Sequence, residues 1–125
     1  MKKVLAISVL LMVTVCYLNA QDKETMKEIK GTWNYTASEA PYEYQKGKMI
    51  FYREDGEFKA KLEIQGKEIN TQKLKIEGDK IECSAYLDYE MITIRLVLKD
   101  GKLQGTADSS EGLIPVSLVK DEKSS

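Results

Sequence analysis

The chain has 125 residues, of which 19 are basic and 20 acidic, and it contains no histidine. Charges of both signs are interspersed along it, which argues against nucleic acid and against an anionic membrane surface as partners, because both need a basic patch. Without histidine the commonest general base and metal ligand is missing, and no phosphate loop, Gly-x-Ser-x-Gly or Cys-x-x-Cys motif occurs. We therefore expect one domain that is not an enzyme and that needs no cofactor or metal.

Residues 1–20 have the pattern of a secretory signal peptide. The basic start Met1-Lys2-Lys3 precedes an apolar run of about fifteen residues, and Ala20 provides a small residue before a cut. The run is shorter than the roughly twenty residues that span a bilayer, and no second run follows, so we predict no stable membrane span. A lipoprotein anchored through Cys16 is the weaker alternative, because Val15 stands where a lipobox needs a small residue.

Cleavage near Ala20 predicts a secreted or periplasmic domain over residues 21–120, followed by a disordered polar tail over 121–125. The loss of two lysines with the signal peptide lowers the basic residues from 19 to 17 against 20 acidic ones, a net charge of −3. Cys83 is then the last cysteine, so no internal disulfide can form. We predict that its thiol is buried on the apolar face of a strand.

The first element of the predicted domain is a short helix over residues 22–30. Met26 and Ile29 lie three positions apart and share one face, whereas the other residues are mostly charged. A helix of this length is marginal alone, so we expect it to pack across one end of the sheet or barrel that follows.

Trp33, the only tryptophan, lies in the first predicted strand (31–35) and has the largest apolar area of any side chain in the domain. Residues 37–47 then form the longest break in the pattern and contain Tyr42 and Tyr44. This segment is either a long loop that carries binding residues beside a barrel mouth, or an edge strand whose tyrosines cover the end of the core.

Strict alternation of apolar and polar residues marks most of the remaining chain as half-buried strands. Residues 57–64 set the pattern, with apolar side chains at every second position and lysine or glutamate between them. Tight turns that contain glycine, such as Asp55-Gly56 and Asp100-Gly101, join most of these strands. The predicted strands are 31–35, 48–52, 57–64, 68–77, 80–88, 91–99, 102–108 and 113–120.

The predicted strand at 68–77 breaks the clean alternation. If Leu74 and Ile76 face inward, Asn70 and Gln72 do so too, unless a bulge shifts the register and turns these amides outward. Buried amides would need hydrogen-bond partners, which could be each other, water or a ligand. The sequence leaves both alternatives open.

Eight short strands joined by tight turns must pair with their sequence neighbours in antiparallel fashion. Closure of such a meander removes both exposed edges, so we predict an all-β, eight-stranded antiparallel up-and-down barrel with a short N-terminal helix. A two-sheet sandwich is the alternative, but it usually needs longer crossings than the chain offers outside residues 37–47. A barrel of eight strands has room for packed side chains or for one small ligand.

A short helix followed by Gly31-Thr32-Trp33 at the start of an eight-stranded meander resembles the lipocalin-like (calycin) group. The stretch Ala40-Pro41-Tyr42-Glu43-Tyr44, followed by Gly47 and the Asp-Gly turns, also resembles small secreted lipocalin-like domains of gut Bacteroidetes-type bacteria. The resemblance covers most of the predicted domain. It implies that the tryptophan closes the barrel floor and packs against an arginine late in the chain, where this sequence has Lys120 and Arg95. The shorter strands imply a smaller cavity.

The first functional hypothesis is a binding protein for a small apolar or amphipathic molecule held inside the barrel. Aromatic and aliphatic side chains would bury the ligand, and two amides would orient its polar end, unless these residues simply fill the barrel. The candidate lining residues are Trp33, Tyr35, Phe51, Phe58, Leu62, Asn70, Gln72, Ile94 and Leu96.

The second hypothesis is a protein-binding module of the cell envelope, such as an inhibitor or an accessory domain, with a filled barrel. Tyrosine is enriched at protein interfaces, and exposed Tyr42, Tyr44, Tyr86 and Tyr89 would favour this function. The partner would then be an envelope protein rather than a small molecule.

Overall fold

The computed structural model describes residues 22–121. The predicted signal peptide, its cleavage site at Ala20 and Cys16 lie outside the described residues, as does all of the predicted tail except Asp121. Within residues 22–121, no helix is both long enough and apolar enough to cross a bilayer.

A helix, α1 (22–29), precedes nine strands in the described chain. A 3₁₀ turn at Tyr42–Tyr44 lies in the loop after the first strand, so the edge-strand alternative for this segment is wrong. The strands are β1 (Gly31–Thr36), β2 (Lys46–Glu54), β3 (Glu57–Ile64), β4 (Lys67–Asn70), β5 (Gln72–Glu77), β6 (Lys80–Leu87), β7 (Glu90–Lys99), β8 (Lys102–Ser109) and β9 (Gly112–Lys120).

The strands form one antiparallel sheet in the order β4-β3-β2-β1-β9-β8-β7-β6-β5. The first and last strands pair with each other, from Trp33 opposite Lys120 to Thr36 opposite Ser117, so the meander curls into a barrel. The predicted all-β up-and-down barrel with a short N-terminal helix is therefore confirmed, and the sandwich alternative is wrong.

The barrel is nearly closed, with a break that we call the seam. The predicted strand at 68–77 is divided at Thr71 into β4, which pairs with β3, and β5, which pairs with β6. In the described chain no ladder joins β4 to β6 or β3 to β5. Thr71 extends the pairing of β4 with β3, because its backbone N–H and its Oγ1 donate to the Ala60 carbonyl oxygen at 3.2 and 2.8 Å. The predicted count of eight strands is wrong by one for this reason.

A β-bulge settles the orientation of the two amides beside the seam. The ladder between β5 and β6 shifts register between Gln72 and Lys75. Residues before and after this shift therefore do not follow one continuous alternation between the inner and outer faces. Asn70 and Gln72 are exposed, whereas Leu74 and Ile76 pack against the core. The inward orientation of the amides is therefore wrong, and the bulge alternative is correct.

The apolar faces of the strands fill the interior as the alternation predicts. The predicted inward face of β6, for example, holds Ile81, Cys83 and Ala85, each at most 1% exposed. Burial raises the pKa of the Cys83 thiol to about 12, so the thiol is protonated and unreactive at neutral pH.

The helix α1 closes one end of the barrel, which we call the floor. Thr25 Oγ1 donates to the Gly78 carbonyl oxygen at 2.5 Å, and the Gly78 N–H donates to Asp22 Oδ1 at 2.9 Å. Ile29 is fully buried, and its carbonyl oxygen accepts a hydrogen bond from Trp33 Nε1 at 2.7 Å. The predicted packing of this helix across one end of the barrel is confirmed.

A cation covers the tryptophan at the floor. Lys120 Nζ lies 5.6 Å from the centroid of the Trp33 ring and donates to the Glu28 carbonyl oxygen at 3.0 Å. Arg95, the other late basic residue, pairs instead with Asp108 at 3.7 Å on the outer surface. The floor is therefore formed by a helix, a fully packed tryptophan and a lysine that joins the last strand to both.

Candidate functional site

The end of the barrel opposite α1 is open, and we call it the mouth. Because neighbouring strands are antiparallel, the loop after β1 (37–45) lies at the same end as the turns after β3, β6 and β8. A pocket of about 180 Å³ leads from the mouth into the interior. Its walls are mostly apolar and include Met49, Leu62, Ile64, Ile92, Ile94 and Leu118.

Tyr35 builds the wall of the pocket beside the long loop. Its ring lies against Gly47, its cross-strand partner, where a Cβ atom would come within 2.5 Å of the ring Cε2. The Tyr35 hydroxyl donates to the Tyr44 carbonyl oxygen at 3.0 Å. Burial, with a smaller contribution from Tyr44, raises the pKa of Tyr35 to about 12, so the phenol stays protonated and can donate this bond. Glycine at 47 thus makes room for the ring that positions the loop.

The loop itself is ordered by its own backbone. The Ala37 N–H donates to the Gln45 carbonyl oxygen at 2.8 Å, and the Tyr44 N–H donates to the Pro41 carbonyl oxygen at 2.8 Å. The Gln45 side chain donates from Nε2 to the Ala40 carbonyl oxygen at 3.0 Å. These bonds place part of the loop in the wall of the pocket, which confirms a loop beside a barrel mouth.

The charged side chains that line the pocket are acidic. Asp88 comes from the β6–β7 turn, Glu90 is the first residue of β7, and Glu111 comes from the β8–β9 turn. The Ser110 N–H donates to Glu90 Oε1. Partial burial raises the pKa of Tyr44, and the negative charge of Asp88 raises it further. The Asp88 carboxylate and the Tyr44 phenol therefore interact electrostatically. Over residues 22–121, no group of three acidic or cysteine side chains is arranged to hold a metal ion.

The β6–β7 turn differs from three other two-residue turns of the barrel. Asp55-Gly56, Gln65-Gly66 and Asp100-Gly101 each place glycine second, with φ between 76° and 80°. In the turn Asp88-Tyr89 that place is taken by tyrosine, with φ of 65° and a side chain that is 90% exposed. A left-handed backbone costs a non-glycine residue about 1 kcal/mol, so a bulky side chain is held at the mouth at some expense of stability.

Three of the predicted lining residues line the pocket, namely Tyr35, Leu62 and Ile94. The other six predicted lining residues lie elsewhere, in two groups. Asn70 and Gln72 are exposed on the outside of the barrel, so they cannot orient a ligand in this pocket.

The remaining predicted residues pack in the half of the barrel nearer the floor. Trp33, Phe51 and Leu96 are each 1% exposed and do not border the pocket. Phe58 is half-buried and stacks on Phe51, with ring centroids 6.2 Å apart and planes 9° from parallel. These four residues fill the barrel and do not line the pocket.

The predicted lining omitted several inward-facing strand residues of the pocket, such as Met49, Ile92 and Leu118, and two further sets. The first is the small and aromatic side chains of the long loop, Ala37, Ala40 and Tyr44. The second is the acidic set from two turns. Strand direction carries the missing information, because residues near the ends of β1, β3, β6 and β8 and near the starts of β2, β7 and β9 must border the mouth.

The chain matches no family model and no curated protein. Among solved structures it is similar to a redesigned beta barrel, with a TM-score of 0.59 and 17% sequence identity. The match covers 78% of this chain and 96% of the other. At this level of identity the likeness concerns the barrel fold alone, and the resemblance to lipocalin-like domains stays a prediction.

Proposed function

We propose that the protein binds a small apolar or amphipathic molecule in the pocket at the mouth. The observation that carries the proposal is an apolar pocket that is open at one end of a barrel whose other end is closed. An apolar cavity of about 150 Å³ is large enough for benzene. The slightly larger pocket here suits a ligand with one ring or a short alkyl chain as its apolar part.

Pre-formed walls favour this function. The ring of Tyr35 is fixed by Gly47 and by its bond to Tyr44, and the loop carries its own hydrogen bonds. A pocket that is already ordered saves the entropy of ordering it on binding, so more of the burial energy appears as affinity. The ligand would be bound without large rearrangement of the barrel.

The setting that we propose is outside the cytoplasm. The basic start and apolar run of residues 1–20 support a secreted or periplasmic location. The protein that we propose there is a lipocalin-like binding protein without catalytic activity. The lysine over Trp33 supports the lipocalin-like part of this proposal, because it takes the place of the arginine that the resemblance implies.

Isoleucine methyl groups provide a direct test. Ile64, Ile92 and Ile94 line the pocket, whereas the buried Ile29 and Ile81 do not. In protein labelled at isoleucine δ1 methyls, titration with butylbenzene should shift the NMR signals of the first group and leave the second in place. No shift with butylbenzene, or equal shifts in both groups, would contradict the proposal.

A variant in which a larger side chain fills the pocket provides a second test. Ala107 borders the pocket, and Thr106 is the adjacent residue on the same strand, where side chains alternate between faces. Ala107→Phe should abolish the methyl shifts while the protein stays folded, and Thr106→Phe should leave them unchanged. Undiminished binding by a folded Ala107→Phe protein would place the ligand elsewhere.

A second candidate function is the protein-binding module, which exposed apolar residues around the mouth favour. Tyr42, Tyr89 and Leu113 are 86, 90 and 63% exposed. Binding to an envelope protein through this surface should be lost in a Tyr42→Ser/Tyr89→Ser variant and kept in Ala107→Phe, whereas small-ligand binding should respond in the opposite way.

A further inference from the structure

The pocket has an apolar interior and an acidic rim. Asp88, Glu90 and Glu111 are the charged residues among its lining, and in the described chain no lysine or arginine borders it. None of these three carboxylates takes part in the five ion pairs found within residues 22–121. Negative charge is therefore gathered where an amphipathic ligand would leave its polar end.

Aromatic faces accompany the carboxylates. Tyr44 lies in the wall close enough to Asp88 for the carboxylate to raise the pKa of its phenol, and Tyr89 stands exposed in the adjoining turn. The faces of tyrosine rings attract cations, and carboxylates do so more strongly. Recognition of ammonium ligands by aromatic rings is an established use of this attraction.

The arginines are placed where they cannot receive an anionic ligand. Arg53 donates to the Gly56 carbonyl oxygen at 3.3 Å and lies over Phe58, and Arg95 pairs with Asp108 on the outer surface. A fatty acid in this pocket would hold its carboxylate beside three others without a cation to offset the repulsion. The electrostatics of the mouth thus disfavour acids of the size that the pocket admits.

We propose that the pocket selects small amphipathic amines, with the apolar body inside the barrel and the ammonium group between the carboxylates of the two turns. This inference rests on the proposed function, because it assigns the charge of a ligand bound in that same pocket. The ligand class is an aryl-alkyl or short alkyl ammonium ion.

A charge series on one scaffold tests the selectivity. We expect 3-phenylpropylammonium to bind more tightly than butylbenzene, and butylbenzene more tightly than 3-phenylpropionate, as measured by the isoleucine methyl shifts. Added salt should narrow the difference between cation and neutral probe, because the carboxylates face solvent at the mouth. If butylbenzene binds as well as the cation, this inference fails and the proposed function stands. If no probe binds, both fail.

Two variants identify the carboxylates without changing side-chain shape. Asp88→Asn and Glu111→Gln should each weaken binding of the cation by about fivefold, the upper range for an ion pair near a protein surface, and leave butylbenzene unaffected. Glu90 is left intact because it accepts the hydrogen bond from Ser110. Asn also tolerates the positive φ of 52° at position 88.

Asp100→Asn is the matched control. Asp100 has the same φ of 52° and begins a two-residue turn at the floor, away from the pocket. It should leave the affinity for every probe unchanged. Equal losses for the cation and for butylbenzene in Asp88→Asn, or a loss in Asp100→Asn, would overturn the assignment of the ammonium site.

Discussion

The floor and the mouth are the two ends of the same strands, yet they are built by opposite rules. At the floor, a helix and a tryptophan fill the interior, and each two-residue turn contains a glycine with positive φ. At the mouth, the interior is left open and a long loop replaces a tight turn. In the β6–β7 turn, Tyr89 takes the position that glycine holds in Gln65-Gly66, the β3–β4 turn at the same end. The comparison indicates that this barrel separates the residues that stabilise it from those available for binding.

The largest expected effect comes from removing the tryptophan of the floor. Trp33→Ala should lower the free energy of unfolding by about 4 kcal/mol, because it leaves a large cavity and also removes the hydrogen bond to Ile29. Urea denaturation would measure this loss. Tyr42→Ala removes an aromatic side chain at the mouth that is 86% exposed. It should lower the free energy of unfolding by less than about 0.5 kcal/mol. Similar losses in both variants would refute the division between the two ends.

An exchange of turn residues between the ends sharpens the comparison. Tyr89→Gly should raise the free energy of unfolding by about 1 kcal/mol, because glycine relieves the left-handed strain at the mouth. Gly101→Tyr, the reciprocal change at the floor, should lower it by a similar amount, because Gly101 has φ of 76° and open space around its Cα. Thermal unfolding of both variants would measure the effects. An unchanged melting temperature in Tyr89→Gly would show that the tyrosine is not strained.

An effect of similar size to that of the turn exchange concerns the hydrogen bond that fixes the loop. Tyr35→Phe should cost about 1 kcal/mol at neutral pH, because the Tyr44 carbonyl oxygen loses its donor. The folded pKa of Tyr35 is raised from 10.0 to about 12, so the folded state holds this proton more tightly than the unfolded state. The associated stability is complete below pH 10 and is lost as the pH rises towards 12.

Alkaline denaturation of the wild type and of Tyr35→Phe would measure this contribution. The thiol of Cys83 titrates in an overlapping range, because burial raises its pKa from 9.0 to about 12. The matched control is therefore Cys83→Ala, which should remove only the part of the alkaline loss of stability that comes from the thiol. If the decline of Tyr35→Phe between pH 10 and 12 equals that of the wild type, the protonated phenol does not contribute as described.

Much of the fold could be predicted because the period of two identifies the face of each strand residue. Residues 57–64 and 80–87 alternate without interruption, and their apolar side chains are indeed inside. The bulge after Gln72 was visible only as a conflict in the pattern, because two registers satisfied the sequence equally well. The packing of Leu74 and Ile76 against the core decides between them in the folded chain.

The candidate site was less predictable because periodicity gives the face of a residue but not its height in the barrel. Phe51 and Leu62 both face inward, yet one packs in the core and the other borders the pocket. The acidic rim was harder still. Glu90, at the start of β7, and Glu111, in the β8–β9 turn, lie more than twenty positions apart, and only the folding of the sheet brings them to the same pocket.

Because of the seam, the hydrogen-bonded sheet does not run continuously around the barrel. Ile64 of β3 and Leu87 of β6 line the pocket on either side of it, and in the described chain no ladder between β4 and β6 ties those sides together. On this side of the pocket, the wall between β4 and β6 has no backbone ladder, down to the point where Thr71 donates to the Ala60 carbonyl oxygen. A change in pocket width along this side would therefore break no ladder hydrogen bond between described residues.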